Sequence, residues 1–339
     1  MSEKSVWVVS AGGAGEAEEY ALEHGRIGYI PDERLGNISG IKSYEELKKR
    51  IEEVYQDLSK WTRATILANL GAVRERMKKG DLVVLRRKTS SVSAVAVGEI
   101  ISDYSYDESV PSVLRHGRKV RWLKKEVLRS KFDKDLLYSF NALLTVSCVN
   151  RPDAYERVIS VVRGRRTVTV SEPEDGPVDF EQLANDEILT MIIREFKGHD
   201  FQQLVAEILR AKGYKKVLVS APGPDWGVDI LAGCEPMGFG EPRLCVQVKS
   251  GEGKVGIKEY AELKGVMKAF GAQYGLLVSW GGFTSNVEKK AREDYFEMRL
   301  WGQNDLLEEL FSVYEDLSEE IKARLPLKRI WVPVPREEV

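Results

Sequence analysis

Two stretches decide the fold of the C-terminal half: GPDWGVDI (Gly223–Ile230) and CVQVKS (Cys245–Ser250). Both contain apolar residues at strand spacing, so we predict two consecutive β-strands. Residues two apart in a strand share a face, so Gln247 and Lys249 point the same way. Asp229, on the neighbouring strand, can lie beside them.

An acid, an amide oxygen and a lysine on adjacent strands form a site for a hard cation and a water molecule. Carboxylate and carbonyl-type oxygens are the ligands that Mg²⁺ takes. The ammonium group of the lysine stabilises hydroxide and the charge that develops on a phosphate under attack. An acid followed by Gln-x-Lys is a weak pattern on its own, and an α/β domain with a coincidental glutamine and lysine on one face is the structural alternative.

The surrounding pattern predicts an α/β sandwich around a mixed central sheet, because an antiparallel start precedes strand–helix–strand units. Helices are expected over Ile188–Phe196, Asp200–Lys212 and Ile257–Phe270, and Ser285 with Glu288 predicts the start of another. Strands are expected over Lys216–Val219, Val228–Ala232, Leu244–Lys249, Tyr274–Ser279 and Met298–Trp301.

The segment from Phe196 to Leu310 resembles the Mrr-type catalytic domain of the PD-(D/E)XK nuclease superfamily. It contains FQQLVAEILRAKGY, GPDWGVDI, QVKS and YGLLVSWGGFTSNVEKKA in that order. The resemblance implies a restriction-endonuclease-like α/β/α sandwich that hydrolyses DNA phosphodiesters with Mg²⁺, or with Mn²⁺ as a substitute. It also implies that Asp229, Gln247 and the Val248 carbonyl hold the metal. In the same chemistry, Lys249 positions the nucleophile or stabilises the charge.

The sequence departs from this family at one position. The family's helix acid often follows a phenylalanine directly, whereas this chain has Phe201 followed by Gln202. Glu207, about a turn and a half later, is the available substitute, either as a catalytic metal ligand or as a charge on the helix surface. Asp225 is a weaker candidate, and a turn residue is the simpler interpretation of it.

The N-terminal half mixes strands and helices. Val6–Ser10 is an apolar run that ends in glycines, typical of a buried strand, and Ser43 with Glu46 forms a capping-box pattern before a helix. DLVVLRRK and VSAVAVGEII predict a hairpin, and Lys119–Leu123 predicts a further strand. We therefore expect an α+β domain built on a small barrel-like sheet with flanking helices.

Aromatic residues are interleaved with basic ones in this half, a pattern suited to phosphate contact and base stacking. Together with WVVSAGGAGE, IGYI and VGEIISDYSYD, it is similar to PUA/EVE-like domains. That resemblance implies a pocket for an extruded and often modified base. The candidate DNA-binding or base-binding residues are Trp7, Tyr104, Trp122, Arg118 and Arg121, with core packing as the alternative for each aromatic.

The glycine-rich stretch SAGGAGEAEEY could be taken for a phosphate-binding loop. It lacks the Gly-Lys-Ser/Thr ending of such loops, and Glu16, Glu18 and Glu19 would lie where the phosphate should be. A tight turn is therefore the preferred interpretation.

Charge and composition predict the domain organisation. Residues 1–170 carry 30 Lys and Arg against 23 Asp and Glu, whereas the remaining residues carry 21 against 30. The acidic stretch SEPEDGPVDFEQLANDE, without Lys or Arg, is typical of a linker. We predict a reader domain over 1–165, a linker over 166–187, a nuclease domain over 188–325 and a tail over 326–339.

The sequence therefore predicts a DNA endonuclease of a restriction or defence system, and the alternative is an inactive nuclease fold that only grips DNA. Double-stranded DNA, with methylated DNA as a candidate ligand, and a second copy of the chain are the expected partners. Three cysteines without a Cys-x-x-Cys pair, and a first segment unlike a signal peptide, favour the cytoplasm. The hydrophobic content of 43% excludes a disordered chain, and no apolar run is long enough to span a membrane.

Overall fold

The computed structural model describes residues 4–165, 179–221 and 227–331. The chain divides into two compact units. Within the described residues, the first unit comprises 4–90, 94–165 and 179–184, and the second comprises 91–93, 185–221 and 227–331. Asp225 and most of the predicted linker lie outside the described residues. No helix within the described ranges is both long and apolar enough to cross a membrane.

A seven-stranded mixed sheet forms the centre of the first unit. Its strands are β1 Val6–Val9, β2 Arg26–Gly28, β3 Leu82–Arg86, β4 Ala94–Ile100, β5 Ser105–Tyr106, β6 His116–Leu128 and β7 Val146–Cys148. The order is β2-β6-β4-β3-β1-β7, and β5 also pairs with β6. The β1–β3 pair is parallel and the other pairs are antiparallel. This sheet is compatible with the PUA-like domain that the sequence resembles.

Five α-helices flank this sheet: α1 Glu18–His24, α2 Tyr44–Val54, α3 Lys60–Gly71, α4 Lys134–Phe140 and α5 Ala154–Val162. The start predicted for α2 is confirmed, because Ser43 Oγ accepts a hydrogen bond from the Glu46 N–H at 3.1 Å. The helix buries Leu47 and Ile51, one turn apart on the same face.

The second unit has a five-stranded sheet in the order β12-β11-β10-β9-β8. Its strands are β8 Lys216–Val219, β9 Ile230–Gly233, β10 Arg243–Lys249, β11 Tyr274–Ser279 and β12 Met298–Trp301. The pairs β8–β9 and β9–β10 are antiparallel, whereas β10–β11 and β11–β12 are parallel. The predicted mixed sheet with an antiparallel start is therefore confirmed.

Helices cover both faces of this second sheet: α6 Phe180–Glu195, α7 His199–Ala211, α8 Ile257–Phe270, α9 Ser285–Glu293, α10 Gln303–Val313 and α11 Glu319–Arg324. Val246 and Val248 of β10 belong to the hydrophobic cluster that contains α7 and α10 residues. Cys245, which precedes Val246 and therefore points to the opposite face, belongs to the cluster that contains α8 residues. Because alternate residues of β10 enter two cores, the α/β/α sandwich predicted from the sequence is confirmed.

Two elements differ from their predicted bounds by more than two residues. Strand β6 is much longer than the predicted Lys119–Leu123, because it pairs with β2, β4 and β5 along its length. Helix α6 begins at Phe180, inside the stretch predicted as linker. The Asp179 carboxylate accepts a hydrogen bond from the Gln182 N–H at 3.0 Å, which caps the helix start that the acidic composition concealed.

Candidate functional sites

Asp229 lies immediately before β9 and is locked to β10 by its backbone and its side chain. Its N–H donates to the Val246 carbonyl at 3.0 Å, and its Oδ2 accepts from the Val248 N–H at 2.7 Å. The residue is 6% exposed. The carboxylate is therefore held at the strand edge where the pairing of β9 with β10 ends.

The β10 backbone directs a carbonyl to the same edge. The Val246 carbonyl faces β9, whereas the Lys249 carbonyl faces the other side, where it accepts from the Trp280 N–H at 2.8 Å. Carbonyls two residues apart point the same way, so the Val248 carbonyl points towards the edge that Asp229 occupies. The structure thus brings Val248 and Asp229 together.

Gln247 is 5% exposed, and its Oε1 is buried without a hydrogen-bond partner among the described residues. An unpaired buried amide oxygen costs free energy, about 1–3 kcal/mol, unless a ligand satisfies it. Lys249, half-buried at the end of β10, shares the face of Gln247. The unpaired Gln247 oxygen is therefore a candidate ligand for a cation.

Helix α7 supplies a contact to Asp229 that the sequence did not indicate. Gln202 Nε2 donates to Asp229 Oδ1 at 2.6 Å. Gln202 Oε1 must then accept, and His199 Nδ1 lies 2.9 Å from it. His199 Nε2 in turn lies 3.1 Å from Gln203 Nε2, which can donate to it. The chain His199–Gln202–Asp229 therefore fixes one carboxylate oxygen.

Glu207 does not join this arrangement. Its carboxylate pairs with Arg210 on the same helix at 2.5 Å. Five residues separate Gln202 from Glu207, which is about 140° around the helix axis, so the two side chains leave α7 on different faces. Gln202, rather than Glu207, lies at the helix position beside Asp229. The signal for Gln202 was its place after Phe201, where the family often has its acid.

The oxygen atoms at this site are of the kind that binds a hard cation, but the site contains one carboxylate. Within the described ranges, no group of three or more His, Cys, Asp or Glu residues could bind a metal together. The available oxygens are the Asp229 carboxylate, the unpartnered Gln247 amide and the Val248 carbonyl, all donors of the kind that Mg²⁺ prefers. One carboxylate in this set predicts weak binding.

In the first unit, two of the expected DNA-binding residues are buried. Trp7 is 4% exposed, and its Nε1 donates to Asp81 Oδ2 at 3.0 Å. Arg118 is also 4% exposed, and its guanidinium donates to the Val73, Ser102 and Arg74 carbonyls. The expectation that Trp7 and Arg118 contact DNA is corrected, because the fold uses both side chains internally.

The other three expected residues are partly accessible. Tyr104 and Trp122 pack against the same hydrophobic cluster as Trp7. Tyr104 Oη lies 2.8 Å from His116 Nδ1, burial raises the pKa of Tyr104 to about 12, and Trp122 Nε1 donates to the Ala21 carbonyl. Arg121 is exposed and pairs with Glu99. These aromatics pack against the core of the first unit and leave part of each ring accessible.

A cavity of about 410 Å³ lies elsewhere in the first unit. The glycine-rich turn after β1, the segment after β2 and the end of β3 line it, with Ser10, Gly12, Glu16, Tyr29, Arg86 and Leu143 among the lining residues. The volume is in the range of small-molecule sites. Sequence reasoning missed it because its walls come from segments far apart in the chain.

Comparison with protein families assigns the second unit. Residues 193–310 match Mrr_cat, described as a restriction endonuclease, which confirms the resemblance stated from the sequence. Residues 7–142 match DUF8426, a domain of unknown function. Among curated proteins, none matched the chain.

Among solved structures, the MspJI restriction endonuclease in complex with a 27-mer oligonucleotide is 16% identical, over 95% of this chain and 79% of that one, with a TM-score of 0.34. The DNA modification-dependent restriction endonuclease AspBHI is 15% identical, over 88% of this chain and 76% of that one, also with a TM-score of 0.34. A protein of unknown function, AF1548, is 15% identical over 40% and 79%, with a TM-score of 0.26.

Proposed function

We propose that this chain, whose residues 193–310 form a restriction endonuclease domain of the Mrr_cat family, is a metal-dependent DNA endonuclease of a restriction or defence system. One observation carries the metal dependence. The Gln247 amide oxygen is buried without a partner on the strand face that it shares with Lys249, next to the edge where Asp229 is held.

The roles follow from the chemistry of each group. Asp229, Gln247 and the Val248 carbonyl would hold Mg²⁺, or Mn²⁺ in its place. Such an ion would supply a lowered pKa for a water molecule and positive charge opposite the phosphate. Lys249 orients the attacking water or neutralises charge at the phosphate. Gln202 holds Asp229 in place through its short hydrogen bond.

The first unit is proposed to select where the enzyme acts by binding an extruded base, with methylated bases as candidates. Its charge supports this role, because residues 1–170 carry 30 basic against 23 acidic side chains, which favours attraction to phosphates. The cavity beside Tyr29 replaces Trp7, Tyr104 and Trp122 as the place for the base, since it has an aromatic side chain in its wall and room for a ring.

The expected substrate is double-stranded DNA in the cytoplasm, cut by a homodimer. Cutting both strands of a DNA duplex requires two active sites, or one active site that acts twice. A twofold dimer is the commonest way to supply a pair of sites.

A specific observation favours a second candidate, an inactive nuclease fold that only grips DNA. Position 202, beside Asp229, holds an amide where the family often has an acid. Removing one carboxylate weakens the metal site and could leave binding without cleavage.

One experiment separates the two functions. The purified chain is incubated with one plasmid prepared from methylating and from non-methylating hosts, in Mg²⁺, in Mn²⁺ and in excess EDTA, with Asp229→Asn as the control. Metal-dependent nicking that the control lacks supports the nuclease, and a difference between the two preparations supports the reader. DNA retention without nicking in any metal would establish the gripping module instead.

A further inference from the structure

Among the side chains that line the cavity in the first unit, the Glu16 carboxylate is the acceptor-only group. Glu16 follows the turn at Gly12, which has φ +97°, and a Cβ built on Gly12 would lie 2.2 Å from Glu16 Oε2. The carboxylate therefore lies directly over the glycine backbone. The Ala14 N–H donates to the same oxygen at 3.1 Å and holds the side chain there.

The charge of Glu16 persists across the physiological range. Its own backbone N–H is the largest cause, and the N–H groups of Ala14 and Gly13 add to it, so the pKa of the Glu16 carboxyl lies below its usual value. An ionised carboxylate accepts hydrogen bonds and cannot donate them. A ligand beside it must therefore present N–H or O–H groups.

The two cations of the cavity are already engaged. Arg86 donates to Ser10 Oγ at 3.1 Å, to the Phe140 carbonyl at 2.8 Å, and to the Ala142 and Leu144 carbonyls. Lys88 donates to the Gly13 carbonyl. Arg86 is thus committed to the fold, and a phosphate beside Glu16 would meet a like charge, so the wall of the cavity next to Glu16 favours an uncharged ligand.

Tyr29 provides the aromatic part of the wall. It is half-buried and packs against two hydrophobic clusters of the first unit, so its ring is held in place. A flat heterocycle can stack on such a ring, and stacking tolerates any base because every base has a π-face. Stacking alone therefore admits a base without choosing among bases.

We propose that Glu16 makes this cavity selective for bases that carry an exocyclic amino group, such as cytosine and adenine, over uracil and thymine. The inference rests on the proposed base-reading function and names the class of base that it takes. Cytosine presents a 4-amino donor and an N3 acceptor where uracil presents a 4-oxo acceptor and an N3–H donor. A Glu16 carboxylate placed at the 4-position therefore pairs with cytosine and repels uracil. Carboxylate side chains accept from the cytosine amino group in the same way in the DNA major groove.

The test measures binding of the full chain in EDTA to duplexes that differ at one position. That position is placed opposite an abasic site, so that extruding the base breaks no pair, and it carries cytosine, uracil, 5-methylcytosine or thymine. A fully paired duplex of the same sequence is the reference. We expect the duplex with cytosine to bind about tenfold more tightly than the duplex with uracil. The same ratio is expected for 5-methylcytosine over thymine.

Two variants connect the preference to Glu16. Glu16→Gln replaces an acceptor with a group that both donates and accepts. We therefore expect the ratio of the affinities for the cytosine and uracil duplexes to fall below about threefold. Glu19→Gln makes the same change at an exposed residue of α1 outside the cavity lining and should keep the tenfold ratio. Circular dichroism verifies that both variants fold.

The outcomes separate this inference from the proposed function. If duplexes with an unpaired base bind better than the paired reference but do not distinguish cytosine from uracil, the inference is wrong and base reading stands. The inference is equally wrong if Glu16→Gln keeps the full ratio. If unpaired bases bind no better than the paired duplex, base reading itself fails.

Discussion

Gln202→Glu is the most informative change at the candidate active site. Gln202 Nε2 donates to Asp229 Oδ1 at 2.6 Å, so a carboxylate at this position would place a second negative oxygen beside the first. In the absence of metal, the change replaces an attraction with a repulsion. With a divalent cation between the two carboxylates, the Gln202→Glu change adds a second charged ligand to a site in which Asp229 is the first.

The magnitude follows from the geometry. Two unit charges about 4 Å apart repel by about 4 kcal/mol at an effective dielectric constant of about 20, and the variant also loses a hydrogen bond worth about 1–3 kcal/mol. A dication attracts each carboxylate about twice as strongly as the carboxylates repel each other. After the cost of desolvation, we expect a net gain of about 1.4–2.8 kcal/mol, which is ten- to hundredfold tighter metal binding.

Isothermal titration of the full chain with Mn²⁺ and Mg²⁺, without DNA, measures this affinity directly. Gln203→Glu is the matched control, because it adds the same charge one residue away, where the native amide faces His199. We expect the control to bind metal within about threefold of wild type. The metal-free Gln202→Glu protein should also melt several degrees lower. A folded Gln202→Glu protein that binds Mn²⁺ no more tightly than the control would refute the placement of the metal beside Gln202.

Four further predictions follow from the same structure. Asp229→Ala and Lys249→Ala should each abolish cleavage and largely retain DNA binding in a gel-shift assay; cleavage within tenfold of wild type in either variant contradicts the assignment. Activity should require millimolar rather than micromolar Mg²⁺ and should also be supported by Mn²⁺, because a site with one carboxylate binds metal weakly. Full activity in excess EDTA would contradict this. Light scattering should show a dimer, and a strict monomer with and without DNA would count against it. Burial lowers the pKa of His116 to about 4, so the neutral ring contributes about 3 kcal/mol of stability above pH 6.5 that is lost as the pH falls towards 4. Urea unfolding should show about 2 kcal/mol of this loss between pH 7 and pH 5 in wild type and not in His116→Gln.

The secondary structure of the second unit was predictable because its signals are local. Ile257–Phe270, Tyr274–Ser279 and Met298–Trp301 were expected with the bounds that the structure has. Each is an apolar run of the right period between turn residues, and such a pattern needs no knowledge of the rest of the chain. The adjacency of Asp229 and Gln247 was predictable for the same reason, since consecutive strands usually pair.

The contact between Gln202 and Asp229 was not predictable in this way. It depends on how far α7 is rotated and shifted against the sheet, which the packing of Phe201, Leu204 and Val205 into the core determines. The family pattern indicated the position after Phe201, and Glu207 was considered as a substitute because Gln202 is not an acid. The helix presents the Gln202 amide to Asp229, and the three-dimensional packing shows that Glu207 lies on another face.

The DNA contacts predicted for Trp7 and Arg118 were wrong because burial and binding have similar signatures in a sequence. Trp7 lies in the apolar strand VWVV. Arg118 lies in a strand that mixes basic and apolar residues, a pattern typical both of a nucleic-acid surface and of a core with internally satisfied polar groups. Since each of the three guanidinium nitrogens of Arg118 donates to a backbone carbonyl, its charge serves the fold. The glycine-rich turn was set aside because its glutamates exclude phosphate. That exclusion is the property an uncharged base requires, so the feature that argued against a phosphate loop is the one that argues for the cavity beside Glu16.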